Sequence, residues 1–265
     1  MRRNQLFWGV VLLLLGGSML ANAMGITLPN GNSLMSLFWP LLLIGFGIWV
    51  LVGVFLRGGV ETETASIDLQ GATEASVKVN HGAGELRIHS GAGGNELVRG
   101  TFVGGLDHKA FRNGNRLEVR MRPAKDFMDF PFFGSRARLD WDVALNADVP
   151  TSLHLSLGAN KSVIDLQDMS ITNLKFETGA SETELKLPSR GRFHADLDLG
   201  AASLTLVIPE GLSARIRASL GAADLKIDES RFPRNGAYYQ SPDFDTAANT
   251  ADITIDAGAA SIKIK

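Results

Sequence analysis

The side chains that could support acid–base or metal chemistry are scattered along the sequence. The chain has 265 residues, five histidines and no cysteine, so disulfides, thiolate metal sites and cysteine nucleophiles are excluded. His81 and His89 flank a glycine-rich stretch, but neither is spaced from a second histidine as metal ligands are. His154 and His194 fit solvent-facing strand positions. We therefore predict no metal site and no cofactor.

The acidic and glycine-rich stretches do not form a catalytic motif. Asp196 and Asp198 alternate with apolar residues, as residues on the polar face of a strand do. Gly82–Gly84 and Gly91–Gly94 are not followed by a helix signal, which a phosphate-binding loop requires. Without a nucleophile, base or ligand set, we predict that the protein is not an enzyme.

An alternating strand, a Gly-Ala pair and a second alternating strand recur in this sequence. Between Leu153 and Ile227 the pairs begin every 21 residues. Apolar and polar residues alternate around each pair, which is the pattern of strands with one buried face. We call the first residues of these pairs the corner glycines; they are Gly82, Gly158, Gly179, Gly200, Gly221 and Gly258.

The repeat predicts a stacked β architecture. A glycine between two strands permits either a positive φ or a close approach of two backbones. Each copy would be one coil, pairing with the coils above and below it at about 4.8 Å. A β-sandwich of hairpins also has alternating strands, but it does not explain the fixed interval. We predict an all-β, right-handed, single-stack β-solenoid over residues 66–265, with its open edge at Ser261–Lys265.

The N-terminal part of the chain has the composition of a membrane segment. Leu6–Leu28 and Leu34–Leu56 each contain 23 residues without a charge. As helices they would each measure about 34 Å, enough for a hydrocarbon core of about 30 Å. We predict a two-helix transmembrane hairpin over residues 1–57, followed by a linker at residues 58–65.

The arginines that flank the predicted spans indicate their orientation. Arg2 and Arg3 precede the first span and Arg57 follows the second, whereas the connecting turn has no positive charge. The positive-inside rule then places both termini in the cytoplasm. In the alternative, the first span is a signal peptide cleaved near Ala21–Ala23.

Two segments interrupt the repeat. Pro123–Ser135 is rich in phenylalanine, and Arg231–Asn249 lengthens the last repeat step to 37 residues. Inserted loops of repeat proteins are common binding sites, although the Phe-rich segment could instead cover an open end of the core. The candidate partner-contact residues are Phe127, Phe130, Phe132, Phe133, Tyr238 and Tyr239.

Two parts of the sequence resemble a known family. LFWGVVLLLLGG and LFWPLLLIGFGIWVLVG resemble the two-span membrane module of LiaF-like proteins. The glycine repeats and the ending YYQSPDFDTAANTADITIDAGAASIKIK resemble the LiaF-like C-terminal domain and related toastrack domains. The Phe-rich segment departs from the family pattern. The resemblance implies a non-catalytic regulator of the cell-envelope stress response at the bacterial inner membrane, with a membrane histidine kinase or another envelope-stress protein as its partner.

We therefore expect a membrane-anchored regulatory or scaffold protein that contacts the lipid bilayer and a protein partner. One alternative is a self-assembling scaffold, in which the partner is a second copy of the chain. Another is an exported binding module. The formal net charge of −2 gives no bulk affinity for nucleic acid.

Overall fold

The computed structural model describes residues 62–124 and 139–265, together with separate residues between 9 and 25 and between 39 and 47. The chain divides into two compact units, Met1–Gly59 and Val60–Lys265. The described residues of the first unit are in helices or a turn. No helix among the described residues is long and apolar enough to cross a membrane. Most of the predicted hairpin lies outside these residues, so the hairpin stays a prediction.

The second unit is built from β-strands, of which sixteen lie in the described residues. The first eight are β1 Thr62–Asp68, β2 Glu74–Ala92, β3 Glu96–Val103, β4 Leu106–Asn113, β5 Arg116–Pro123, β6 Leu139–Asn146, β7 Thr151–Asp165 and β8 Ile171–Lys186. The others are β9 Arg192–Leu199, β10 Ser203–Val207, β11 Ser213–Leu220, β12 Asp224–Ile227, β13 Arg234–Asn235, β14 Tyr238–Gln240, β15 Thr250–Ala257 and β16 Ser261–Ile264. Strand β1 begins within the predicted linker, because Thr62 pairs with Val103 of β3.

The strands stack as rungs. A rung is a pair of strands, or the two halves of one long strand, joined at a corner. Strands β2, β7 and β8 are long strands that turn at a corner glycine, and they pair in parallel and in register on both sides of the turn. Inward-facing residues of both halves form one core, in which Leu155, Phe176, Ile164 and Leu185 are fully buried. The alternating pattern therefore produces the all-β fold that the sequence predicts.

The rungs do not follow sequence order at the C-terminal end. Strand β15 pairs with β9 on one side and with β11 on the other, and β16 pairs with β10 and β12. The Gly258 N–H donates to the Leu199 carbonyl oxygen at 2.8 Å, and the Gly221 N–H donates to the Ala257 carbonyl oxygen at 2.8 Å. The last rung in the sequence therefore lies between the β9–β10 rung and the β11–β12 rung.

This order corrects the predicted solenoid. Stacking in sequence order is right for the first four corner glycines and wrong for Gly221 and Gly258. Strand β16 is paired on both sides, so the prediction of an open edge at Ser261–Lys265 is also wrong. The physical reason is that rungs of equal length and equal pattern are interchangeable in a parallel stack. Residues 228–249 give the chain enough length to pass the β11–β12 rung and return.

Four strands between β2 and β7 complete the other end. Strands β5 and β6 pair in parallel with the two halves of β2 and so form a rung. Residues 125–138, between β5 and β6 in the sequence, lie outside the described residues, and so do the four phenylalanines of the Phe-rich segment. Strands β4 and β3 pair antiparallel with β5 and β6. This end is therefore not the uniform parallel solenoid that the repeat predicts.

Candidate functional site

The corner glycines allow neighbouring rungs to approach closely. None of the six has a positive φ, so conformational freedom is not the reason for glycine. A Cβ on Gly158 would stand 2.3 Å from the Gly82 carbonyl oxygen, and one on Gly200 would stand 2.6 Å from the Gly179 carbonyl oxygen. At Gly179 the corresponding distance to the Gly158 carbonyl oxygen is 3.4 Å. The corner glycines themselves are therefore packing positions and contribute no side chain to a binding site.

The β11–β12 rung is the open end of the stack. Among the described residues β12 pairs only with β16, and the outer edge of β11 pairs with β14 at Arg215 and Ile216. The Asp224 N–H donates inward, to the Ala260 carbonyl oxygen. Because successive N–H groups of a strand point to opposite sides, the N–H of Leu225 points outward from the stack. This edge can accept a further strand.

Apolar side chains at the open end are less buried than their equivalents inside the stack. Leu225 and Ile227 of β12 are half-buried, whereas their neighbours Ile262 and Ile264 of β16 are 1% and 3% exposed. Leu220 of β11 is 37% exposed. An unpaired strand edge beside uncovered apolar surface is the arrangement that strand addition requires.

A hairpin of β13 and β14 covers part of the open end. Tyr239 pairs with Ile216 and packs against the core. Tyr238 is also half-buried, but it contacts arginines. The Arg217 guanidinium lies 4.8 Å from the centre of the Tyr238 ring and donates a hydrogen bond to the Tyr238 hydroxyl. The predicted surface loop is thus partly a hairpin, and its two tyrosines have different contacts.

Arg215 connects this hairpin to the stack. Its guanidinium lies 4.8 Å from the centre of the Phe244 ring and 5.6 Å from that of Tyr238, and it donates to Asp252 Oδ2 at 2.6 Å. The hydrogen bond to Asp252 raises the pKa of Arg215 above its ordinary value. These ring and carboxylate contacts of Arg215 hold Tyr238 and Arg217 in place beside the open edge.

Ion pairs occupy the outer face of the central rungs. Glu177 lies 2.5 Å from Lys175 Nζ and 3.1 Å from His154 Nε2. Hydrogen bonds from Lys175 and His154 lower the pKa of Glu177 to about 2. In residues 62–124 and 139–265, no three His, Asp or Glu side chains are placed to hold a metal ion.

Sequence reasoning placed the open end at the wrong strand and therefore missed its residues. Leu220 and Leu225 occupy repeat positions that are buried in the other copies, so pattern alone marks them as core. The signal that could have found them is the lengthened step of 37 residues from Gly221 to Gly258. A connection of this length is needed because the chain leaves the β11–β12 rung at the end of the stack and returns to form the rung between it and the β9–β10 rung.

The sequence of the chain matches two protein-family models. The family model for the N-terminal domain of toast_rack matches residues 56–207, which is more than half of the chain. The model for the LiaI-LiaF-like transmembrane region matches residues 6–51. No curated protein matches the chain in sequence.

Two solved structures are similar to the chain. One is a "putative cell adhesion protein" from Clostridium sporogenes, with a TM-score of 0.68 and 20% identity over 78% of this chain and 99% of that one. The other is a "putative adhesin" from Bacteroides fragilis, with a TM-score of 0.31 and 9% identity over 77% of this chain and 97% of that one. The first similarity supports the fold; the second is too weak to support an argument.

Proposed function

Because the chain belongs to the toast_rack family and carries a LiaI-LiaF-like transmembrane region, we propose that it is a membrane-anchored regulator of the bacterial cell-envelope stress response. The transmembrane region makes it a membrane protein. In this proposal both termini are cytoplasmic, and the β unit modulates a membrane sensor kinase by direct contact. The observation that carries the proposal is the open end of the stack.

The open end supports binding by strand addition. The edges of β12 and of β11 beyond Ile216 have outward N–H and C=O groups that could pair with a partner strand. Half-buried Leu225 and exposed Leu220 offer apolar contacts beside those groups. Backbone pairing supplies affinity in such complexes, and the side chains along the edge supply specificity.

Leu220→Asp tests the open end against a matched control. Leu220 is 37% exposed at the open edge, and Val163 is 38% exposed on β7 in the middle of the stack. Val163→Asp therefore introduces the same charge at an equally exposed apolar position away from the edge. Each full-length variant is used for affinity capture from detergent-solubilised membranes, and captured proteins are identified by mass spectrometry.

The expected result is that the wild type and Val163→Asp capture a sensor kinase, whereas Leu220→Asp loses it. Equal capture by both variants would show that the open end is not the binding surface. A ladder of homo-oligomers in membrane crosslinking, without a kinase adduct, would instead favour the self-assembling scaffold.

The cytoplasmic orientation has a separate test. The chain lacks cysteine, so Ser261→Cys, at an exposed position, gives a single labelling site. A membrane-impermeant thiol reagent is expected to label it in lysed cells but not in intact cells. Labelling in intact cells would contradict the proposed orientation and favour an exported binding module.

A further inference from the structure

Four polar side chains are buried inside the corner at the β2 end of the stack. They are His81, Trp141, Asn160 and Thr178, which are 2%, 2%, 8% and 7% exposed. They come from four adjacent rungs, because β6 pairs with β2, β2 with β7, and β7 with β8. The corners of the next two rungs contain only buried alanine and leucine here, as at Leu199 and Ala202. The polar cluster is therefore local.

Each of the four side chains has a polar atom without a hydrogen-bond partner among the described residues. These atoms are Nδ1 of His81, Nε1 of Trp141, both Nδ2 and Oδ1 of Asn160, and Oγ1 of Thr178. Buried polar atoms in folded proteins almost always have a partner, which is either protein or ordered water. Four neighbouring exceptions indicate a shared ligand inside the corner.

The chemistry of the unpartnered atoms identifies that ligand. His81 Nε2 lies 2.9 Å from the Leu139 carbonyl oxygen, which can only accept, so Nε2 carries the hydrogen. Burial lowers the pKa of His81, so the ring is neutral and Nδ1 is a bare acceptor. Trp141 Nε1, by contrast, can only donate, and the two rings are 5.3 Å apart between centres.

We propose that the inner corner of the β6, β2, β7 and β8 rungs is a hydration site that holds a short row of ordered water molecules. An anion would need donors alone and a cation would need acceptors alone, whereas this corner combines Trp141 as donor, His81 as acceptor, and Asn160 and Thr178 as both. Water donates and accepts, so it can satisfy the whole set.

The spacing of the rungs suits bridging water. Neighbouring rungs are about 4.8 Å apart, and the residues of this set are not register partners of one another, because His81 pairs with Leu157 and Asn160 pairs with Gly84 and Ser181. Two hydrogen bonds of about 2.8 Å through one water span that separation. Where two polar residues are register partners on neighbouring rungs, they pair directly, as Ser162 Oγ and Thr183 Oγ1 do at 2.8 Å.

The site also lies at the start of β6. Leu139, the acceptor for His81, is the first residue of β6. A hydrated His81 ring therefore has both nitrogens engaged and holds the start of β6 in register with β2. The site would stabilise this junction.

Thr178→Val in the full-length protein should change the melting temperature in opposite directions for a hydrated corner and a dry corner. If Thr178 Oγ1 binds water, removing the hydroxyl loses a hydrogen bond, and the melting temperature falls by about 2–4 °C for a unit of this size. If the corner is dry, a methyl group replaces an unpaired hydroxyl, and the melting temperature rises. Thr183→Val, which removes a direct hydrogen bond, is the control that lowers it in either case.

A crystal structure of the full-length protein that resolves ordered water gives the second readout. Water oxygen within about 2.7–3.2 Å of His81 Nδ1 or Trp141 Nε1 supports the proposal. A rise or no change in melting temperature for Thr178→Val, or a corner without such water, overturns it. The crystal structure decides the case if Thr178→Val does not fold.

Discussion

Substituting alanine at two corner glycines gives the sharpest test of how the rungs pack. Gly158→Ala places a Cβ 2.3 Å from the Gly82 carbonyl oxygen, whereas Gly179→Ala places one 3.4 Å from the Gly158 carbonyl oxygen. The two glycines occupy the same position of successive repeats, and neither has a positive φ. The substitutions therefore differ mainly in the distance between neighbouring rungs.

The structure gives a magnitude for each substitution. At Gly158 the obstacle is a backbone carbonyl within the ladder, which cannot rotate away, so two rungs must separate locally. Overpacking of this kind costs about 1–3 kcal/mol, and the upper half of that range applies here. At Gly179 the new contact is ordinary, and the reduced freedom of the unfolded chain stabilises by about 0.4–1 kcal/mol. The gain from reduced freedom applies equally to Gly158→Ala, so the two variants should differ by the overpacking cost, about 2–3 kcal/mol.

Thermal unfolding of the full-length variants in one detergent measures this difference. For a unit of about 200 residues, 1 kcal/mol corresponds to about 2–4 °C, so Gly158→Ala should melt at least about 4 °C below Gly179→Ala. Gly200→Ala, with its Cβ 2.6 Å from the Gly179 carbonyl oxygen, should follow Gly158→Ala. Equal losses at Gly158 and Gly179 would refute the close-approach argument.

Three further predictions concern the interior of the stack and its response to pH. Ile262→Ala should lower the free energy of unfolding by about 2–5 kcal/mol, and Leu225→Ala by about half as much or less, because Ile262 is 1% exposed whereas Leu225 is half-buried. Equal losses in chemical denaturation would contradict the position of β16 between two other rungs. The pKa of Glu177 is lowered from 4.5 to about 2, so its carboxylate stabilises the fold above pH 4.5, and this stability is lost as the pH falls towards 2. Glu177→Gln should therefore reduce the change in unfolding free energy between pH 4.5 and 2. The reduction should be about 1 kcal/mol or less, because the carboxylate is partly solvated. The pKa of His81 is lowered from 6.5, so the free energy of unfolding should fall as the pH drops below 6.5. His81→Phe should remove this pH dependence. If the pH dependence is unchanged in the variant, His81 does not contribute to it.

The local structure was predictable from the sequence. The alternating residues around Leu155 and Ile164 form paired strands with one buried face, and both side chains are fully buried. The step of 21 residues gives parallel pairing in register, as at Leu155 and Phe176. Local alternation and a fixed interval were sufficient because a shift of one residue in the pairing would turn every apolar side chain to the outer face.

The candidate site was predictable only in part. The segment that contains Tyr238 and Tyr239 was identified as an interruption, and it does lie at the end of the stack. Its contacts with Arg215 and Arg217 could not be predicted, because both arginines lie on β11, whose sequence follows the same repeat pattern as the strands inside the stack. Leu225 likewise follows the alternating pattern of a buried face but is only half-buried, because its rung is the last of the stack.

What the sequence determined by itself is the rung: two strands, a Gly-Ala corner and the family to which the repeats and the transmembrane region belong. What only the tertiary structure decided is the order of the rungs, and hence which edge is open. Gly258 lies between Gly200 and Gly221, and no property of the individual repeats encodes this. Repeats with equal patterns can exchange places without changing the local contacts, so the order depends on the long connection at residues 228–249 and on the hairpin that covers Ile216. The open edge, where we expect the partner to bind, follows from that order.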